Sequence, residues 1–167
     1  MVVARLKKRK AIRNSGMKEF PLRSPSEKVG GIVHFGRMLD KIRLHARGEL
    51  PADYQPNLGK GFDRKICAFL HLDYAEVTKR VNEGATDDEM LDWGLTAGRR
   101  PTDDEIKMWN EFMRKFGWRD HAAEILTRRK REAGMENRAE IETMFQFIDA
   151  DEGREVSSPP VAGSGSR

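Results

Sequence analysis

The sequence predicts an all-α domain of about six helices, and three patterns carry that expectation. Ser, Thr, Asp or Asn recurs with a Glu three positions later, a pairing that satisfies two orphan backbone N–H groups at a helix start. Glycines follow where a helix would end, in the C′ position that favours a left-handed backbone. Between these starts and stops, apolar residues recur every three or four positions. No sustained period-two segment bounded by turn residues occurs, so essentially no sheet is expected.

In chain order, Ser24 and Glu27 mark the first start, with Pro25 at the first helical position, where its missing N–H costs nothing. The first long helix carries Ile32, Phe35, Leu39, Ile42 and Ala46 on one stripe and stops at Gly48. Ile66, Phe69 and Leu70 predict a shorter helix. Asp73 with Glu76 opens the next, ahead of a stop at Gly84. Thr86 with Glu89 opens another, ahead of Gly98. Thr102 with Glu105 starts a helix with the stripe Ile106, Trp109, Met113 and Phe116 and a stop at Gly117. Gly134 marks a further stop, and Asn137 with Glu140 opens a last stripe of Ile141, Met144, Phe145 and Ile148.

Composition sets the frame around these helices. At 167 residues the chain suits one domain that buries a core without staples. A single cysteine, Cys67, excludes an intramolecular disulfide framework and a multi-cysteine zinc site. The longest unbroken apolar run, 66–70, is far below the ~20 residues of a membrane span, and no signal-peptide core stands near the N-terminus. A cytoplasmic protein without membrane association is therefore expected. The net charge is +4, yet Arg5, Lys7, Lys8, Arg9, Lys10 and Arg13 all stand in a first stretch of fourteen residues that holds no acid. Without those six cations the rest of the chain sums to −2. Residues 1–19 read as a disordered basic tail, 20–150 as the helical domain, and 151–167 as a disordered tail rich in Gly, Ser and Pro.

The chemistry concentrates in two segments. The first, residues 30–43, reads as helix and holds Gly30, Gly31 and Gly36. Each glycine inside a helix costs ~1 kcal/mol relative to Ala, so close packing or backbone approach to a ligand is expected to compensate. At about 100° per residue, Arg37 and Lys41 share a side away from the main apolar stripe. Buried cations need partners, and Asp40 stands three residues from both Arg37 and Arg43. Two readings stay open here: a structural ion-pair network, and a cationic pocket for a phosphate- or carboxylate-bearing small molecule with Arg37 as a bidentate fork. The second segment is the loop from Tyr54 to Asp63, where Gly59 and Gly61 let backbone N–H groups converge on an anion and Lys60 adds charge. The plainer reading makes it a turn with Asp63 as an N-cap.

No catalytic motif is recognisable. His34 and His45 share a helix face eleven residues apart, about 16 Å along the axis, so they cannot ligate one metal. Neither a metal nor a cofactor is expected. Cys67 reads as a small core residue.

The joint pattern resembles a known family. Ser24-Pro25-x-Glu27, Gly30-Gly31, Arg37-x-x-Asp40-Lys41-x-Arg43 and Gly48 are followed in order by Tyr54, Asp63, Phe69-Leu70, Asp73 and Gly84. Thr86-Asp87-Asp88-Glu89, Trp93 and Phe145-x-Phe147-Ile148-Asp149 complete it, over roughly residues 22–152. This is similar to a bacterial domain family of unknown function, DUF5069. The resemblance implies a mostly helical domain and brings no activity or catalytic residue with it. Related sequences often carry Cys-Pro before the loop's Leu-Asp. Here Lys60-Gly61-Phe62-Asp63 stands instead, which argues against a universal thiol mechanism.

The function expected first is non-catalytic binding of a small anionic ligand or a protein partner. Arg37, Asp40 and Lys41 would form the ligand site with Tyr54, Lys60 and Asp63. One alternative is nonspecific nucleic-acid association through Arg5, Lys7, Lys8, Arg9, Lys10 and Arg13. Another is an enzyme acting on an anionic small-molecule substrate, with Asp40, Asp63 or His34 as acid or base.

Overall fold

A computed structural model describes residues 20–156. Within them lie seven α-helices, one 3-10 helix and a single two-stranded hairpin. The basic residues Arg5, Lys7, Lys8, Arg9, Lys10 and Arg13 lie outside the described residues, as do 157–167. Among the described residues, no helix is long and apolar enough to cross a membrane.

The start of the chain corrects the expected first helix. Ser24 and Glu27 do pair: the Glu27 carboxylate accepts from the Ser24 N–H at 3.3 Å, and the Glu27 N–H donates to the Ser24 carbonyl at 3.1 Å. They close a turn rather than open a helix. Gly30 and Gly31 form the two-residue connection between β1 (Lys28–Val29) and β2 (Ile32–Val33), which pair antiparallel with Lys28 opposite Val33. Their φ values of 55° and 81° are those of the turn whose twist matches the flanking strands. Strands of two residues are too short to show an alternation, so periodicity could not reveal them. Helix α1 (Phe35–Ala46) begins only after His34 and stops where expected, at Gly48 with φ 69°. It buries Phe35, Met38, Leu39 and Ile42, while Ala46 is exposed.

A 3-10 helix (Ala52–Asn57) leads into α2 (Phe62–Leu70), α3 (Tyr74–Asn82), α4 (Asp87–Ala97) and α5 (Asp103–Lys115). Three expected caps are present. Asp73 accepts from the Glu76 N–H, Thr86 and Glu89 form a complete capping box, and Thr102 and Glu105 bond each other's backbone N–H. Gly98 differs from expectation, since its φ is −97° and no left-handed cap forms. A Cβ there would collide with the Leu70 carbonyl oxygen, to which Arg99 N–H also bonds at 2.9 Å. Gly98 is required by close approach, not by turn geometry.

The contacts divide the chain into two compact units, one of Pro21–Met113 and one of residues 114–156 with Phe20. In the first, Asn110 and Trp109 of α5 hold the hairpin. Asn110 accepts from Val33 N–H at 3.1 Å and donates to the Gly31 carbonyl at 2.8 Å, while the Trp109 indole N–H donates to the Val33 carbonyl at 3.3 Å. Trp109 also stacks on Phe69, with ring centroids 4.8 Å apart. In the second unit, α6 (Ala123–Glu132) and α7 (Met144–Asp151) pack around Leu126, Met144 and Phe145. Asn137 and Glu140 open no helix there. The start belongs to Thr143, which forms a capping box with Gln146.

Candidate functional site

The hairpin hands the chain to α1 through His34, which takes φ 69° and ψ −22°, an uncommon conformation for a residue with a Cβ. Its N–H donates to the Pro25 carbonyl at 3.0 Å and its carbonyl accepts from Met38 N–H. The backbone is thus fixed on both sides, and the imidazole is carried into the core at 2 % exposure.

There it meets Asp63. The expectation of Asp63 as an N-cap is corrected: Gly61 occupies that position and Asp63 sits in the first turn of α2, fully buried. The Asp63 carboxylate accepts at Oδ1 from His34 Nε2 at 2.9 Å and at both oxygens from Lys41 Nζ at 2.6 Å. Oδ2 also accepts from the Gly59 N–H at 3.2 Å. The loop glycine therefore does present its N–H to an anion, and that anion is the chain's own carboxylate. Tyr74 covers this loop so closely that a Cβ at Gly59 would stand 2.8 Å from its ring.

These contacts fix the protonation states. Burial alone would raise the Asp63 pKa. The hydrogen bond from His34 and the Lys41 charge outweigh it and hold the carboxyl below its ordinary range. For His34, burial dominates and, with the charges of Lys41 and Arg37, takes the imidazole down to about 4 against the opposing pull of Asp63. A neutral ring that donates from Nε2 to a carboxylate has its lone pair on Nδ1. That Nδ1 is buried with no hydrogen-bond partner among the described residues.

The remaining charges of α1 are brought into a second group. Arg37 is 3 % exposed; its guanidinium donates to the Arg23 carbonyl at 2.8 Å and lies 5.9 Å from the Tyr54 ring centroid. Asp40 turns the other way. It accepts a fork from Arg23, through Nε and Nη2 at 2.7 Å each, and stands 3.7 Å from Arg43. Asp87, in the first turn of α4, closes the ring with 2.7 Å contacts to both Arg23 and Arg43. Lys60 is exposed and contributes its carbonyl, which accepts from Asp63 N–H at 3.1 Å.

Of the residues singled out in the sequence, Lys41 and Asp63 thus meet directly and Arg37 faces Tyr54, while Asp40 belongs to the arginine ring and Lys60 to the surface. Sequence reasoning missed Arg23 as the partner of Asp40. Its only trace is Gly36, where a Cβ would collide with the Arg23 guanidinium. Among the described residues, no cluster of three or more His, Cys, Asp or Glu side chains is placed to hold a metal ion.

No curated protein matches the chain at a significant level. The family described as a domain of unknown function (DUF5069) matches residues 19–154, which include the hairpin, every helix among the described residues and the His34–Asp63–Lys41 centre, and the chain belongs to that family.

Proposed function

We propose that the chain binds a small anion that also carries a hydrogen-bond donor, at the His34–Lys41–Asp63 centre beside Arg37 and Tyr54. His34 Nδ1 carries this reading: a buried acceptor without a partner. Leaving such a group unsatisfied costs ~1–3 kcal/mol, and a residue with a Cβ held at positive φ adds about 1–3 kcal/mol more. Both costs fall on His34, and a ligand that donates to Nδ1 recovers the first. Arg37, buried beside the same imidazole, supplies the charge for an anionic group. Hydrogen phosphate and hydroxycarboxylates combine the two features.

The low pKa of His34 favours binding over catalysis. An imidazole at about 4 stays neutral at pH 7 and accepts a hydrogen bond, but it is too weak a base for efficient proton abstraction there.

The experiment is thermal unfolding of the full chain in phosphate, glycolate and acetate, read with nitrogen-15 NMR of the histidine side chains. Phosphate or glycolate is expected to raise the Tm and to shift the His34 Nδ1 resonance, with acetate, which lacks a donor at neutral pH, doing neither. His34→Asn and Arg37→Met should each abolish the response. Identical Tm values in all three anions with an unmoved Nδ1 resonance would overturn the reading.

A further inference from the structure

We infer that the exposed face of α6, together with Trp118, binds single-stranded nucleic acid. Residues 114–131 hold seven Lys and Arg against two acids, Asp120 and Glu124, inside a body that is net acidic once the N-terminal cations are set aside. The cations are not equivalent. Lys130 is turned inward, donating to the Arg138 and Ile141 carbonyls at 2.8 and 3.0 Å. Arg119, Arg128, Arg129 and Arg131 are exposed. Arg128 and Arg131, three residues apart on one face, line a shallow depression with Ala123, Glu124 and Thr127. The nearest acid to Arg128, Glu132, stands 3.9 Å away on the surface, where a pair is weak.

Trp118, in the turn that leads into α6, offers a second chemistry. Its side chain is 44 % exposed, and the Arg119 guanidinium lies 5.1 Å from its ring centroid. The turn beneath it is rigidly held. Asp120 accepts from the Gly117 and Ala122 N–H groups at 2.9 and 2.8 Å, and a Cβ at Gly117 would stand 3.3 Å from Leu126 of α6. A half-exposed indole with a guanidinium over it offers a planar platform on which an unpaired base stacks. The α6 arginines supply the phosphate contacts. The bases of a duplex already stack on each other, so the indole favours a single strand. None of these residues belongs to the basic N-terminal segment or to the His34 centre.

The test uses the full chain with fluorescein-labelled oligo-dT of twelve nucleotides, followed by anisotropy across a salt series. Trp118→Ala should weaken binding about five- to hundredfold, the range of one lost stacking contact, with the salt slope retained. The triple variant Arg128→Ala, Arg129→Ala, Arg131→Ala should lower the slope by about 2. Both sets of substitutions are on exposed side chains, and circular dichroism checks that the fold is kept. Lys7→Ala, Lys8→Ala, Lys10→Ala in the N-terminal segment should leave the Trp118 effect intact. The inference is overturned if the Trp118 and α6 variants bind as tightly as the parent, or if the parent does not bind oligo-dT. It is equally overturned if anionic vesicles or polyglutamate, and not oligo-dT, show the Trp118 dependence.

Discussion

Lys41 Nζ lies 2.6 Å from each carboxylate oxygen of Asp63, and the two side chains are 8 % and 0 % exposed. Such a pair gains little over two apolar residues, but breaking it strands a charge in the core. Asp63→Asn keeps the size and removes the charge, so it should destabilise the fold by about 3–5 kcal/mol. Urea unfolding measures this. Lys41→Met should raise the His34 pKa above its present value of about 4, because the Lys41 charge is one of the groups holding it down. An NMR titration of the imidazole reads that shift.

Stability should fall on acidification between pH 6.5 and about 4. The imidazole titrates near 6.5 when free and about 4 when folded, so across that window the unfolded chain holds a proton that the folded chain does not. Stability therefore rises with pH there and is flat above it for this group. The full effect is about 3 kcal/mol. Asp63, held below its usual range, adds a further loss at more acidic pH as its folded value is crossed. His34→Asn, which tolerates the positive φ, should flatten the stability profile between pH 4 and 6.5.

Two glycines should respond differently to alanine. Gly98→Ala drives a Cβ into the Leu70 carbonyl and should cost about 3 kcal/mol. Gly134→Ala meets nothing within 4 Å but must hold φ 69°, and should cost about 1 kcal/mol. Thermal unfolding of the two variants gives the comparison.

Arg23 and Gly36 should be energetically coupled. Arg23→Lys keeps the charge but loses the fork on Asp40, a cost of about 1–2 kcal/mol. Gly36→Ala collides with that same guanidinium. A double-mutant cycle should give a total smaller than the sum of the single effects, since lysine leaves room that arginine fills.

Cys67 should resist alkylation in the folded state. Its thiol is 5 % exposed, lies 3.7 Å from the Met38 sulfur, and is pushed up to about 12, first by burial and then by Asp63 and Asp73. Its reaction with iodoacetamide at pH 8 should track the unfolding equilibrium and accelerate in urea.

The sequence made three helix starts legible through their caps. Asp73, Thr86 and Thr102 each present a side-chain acceptor beside a Glu, and each begins a helix. It misled at Ser24, where the same pairing closes an isolated turn, and at Asn137 and Glu140, where Glu140 pairs with Arg138 instead and no helix begins. The glycine pair 30–31 inside an apolar run read as a costly helix and is a hairpin turn. The charges of α1 were identifiable as a group that needs partners, yet their partners were not. Asp63 lies 22 residues from Lys41 and Arg23 lies 17 from Asp40, separations with no periodicity to betray them. The basic character of α6 is hidden for another reason: summed over the whole body, its charge is cancelled by acids elsewhere in the chain.

The bond from the Gly59 N–H to Asp63 ties the timescale of a surface loop to that of the core. Asp63 is held at the same time by His34 and Lys41, so the Gly59 amide donates to an acceptor that is fixed in the core. Its hydrogen should then exchange with solvent water more slowly than that of the Lys60 amide beside it, which donates to the Asn57 carbonyl of the exposed 3-10 helix at 3.0 Å. Two neighbouring amides would thus report, from a single stretch of chain, on the breathing of the surface and on the opening of the buried centre.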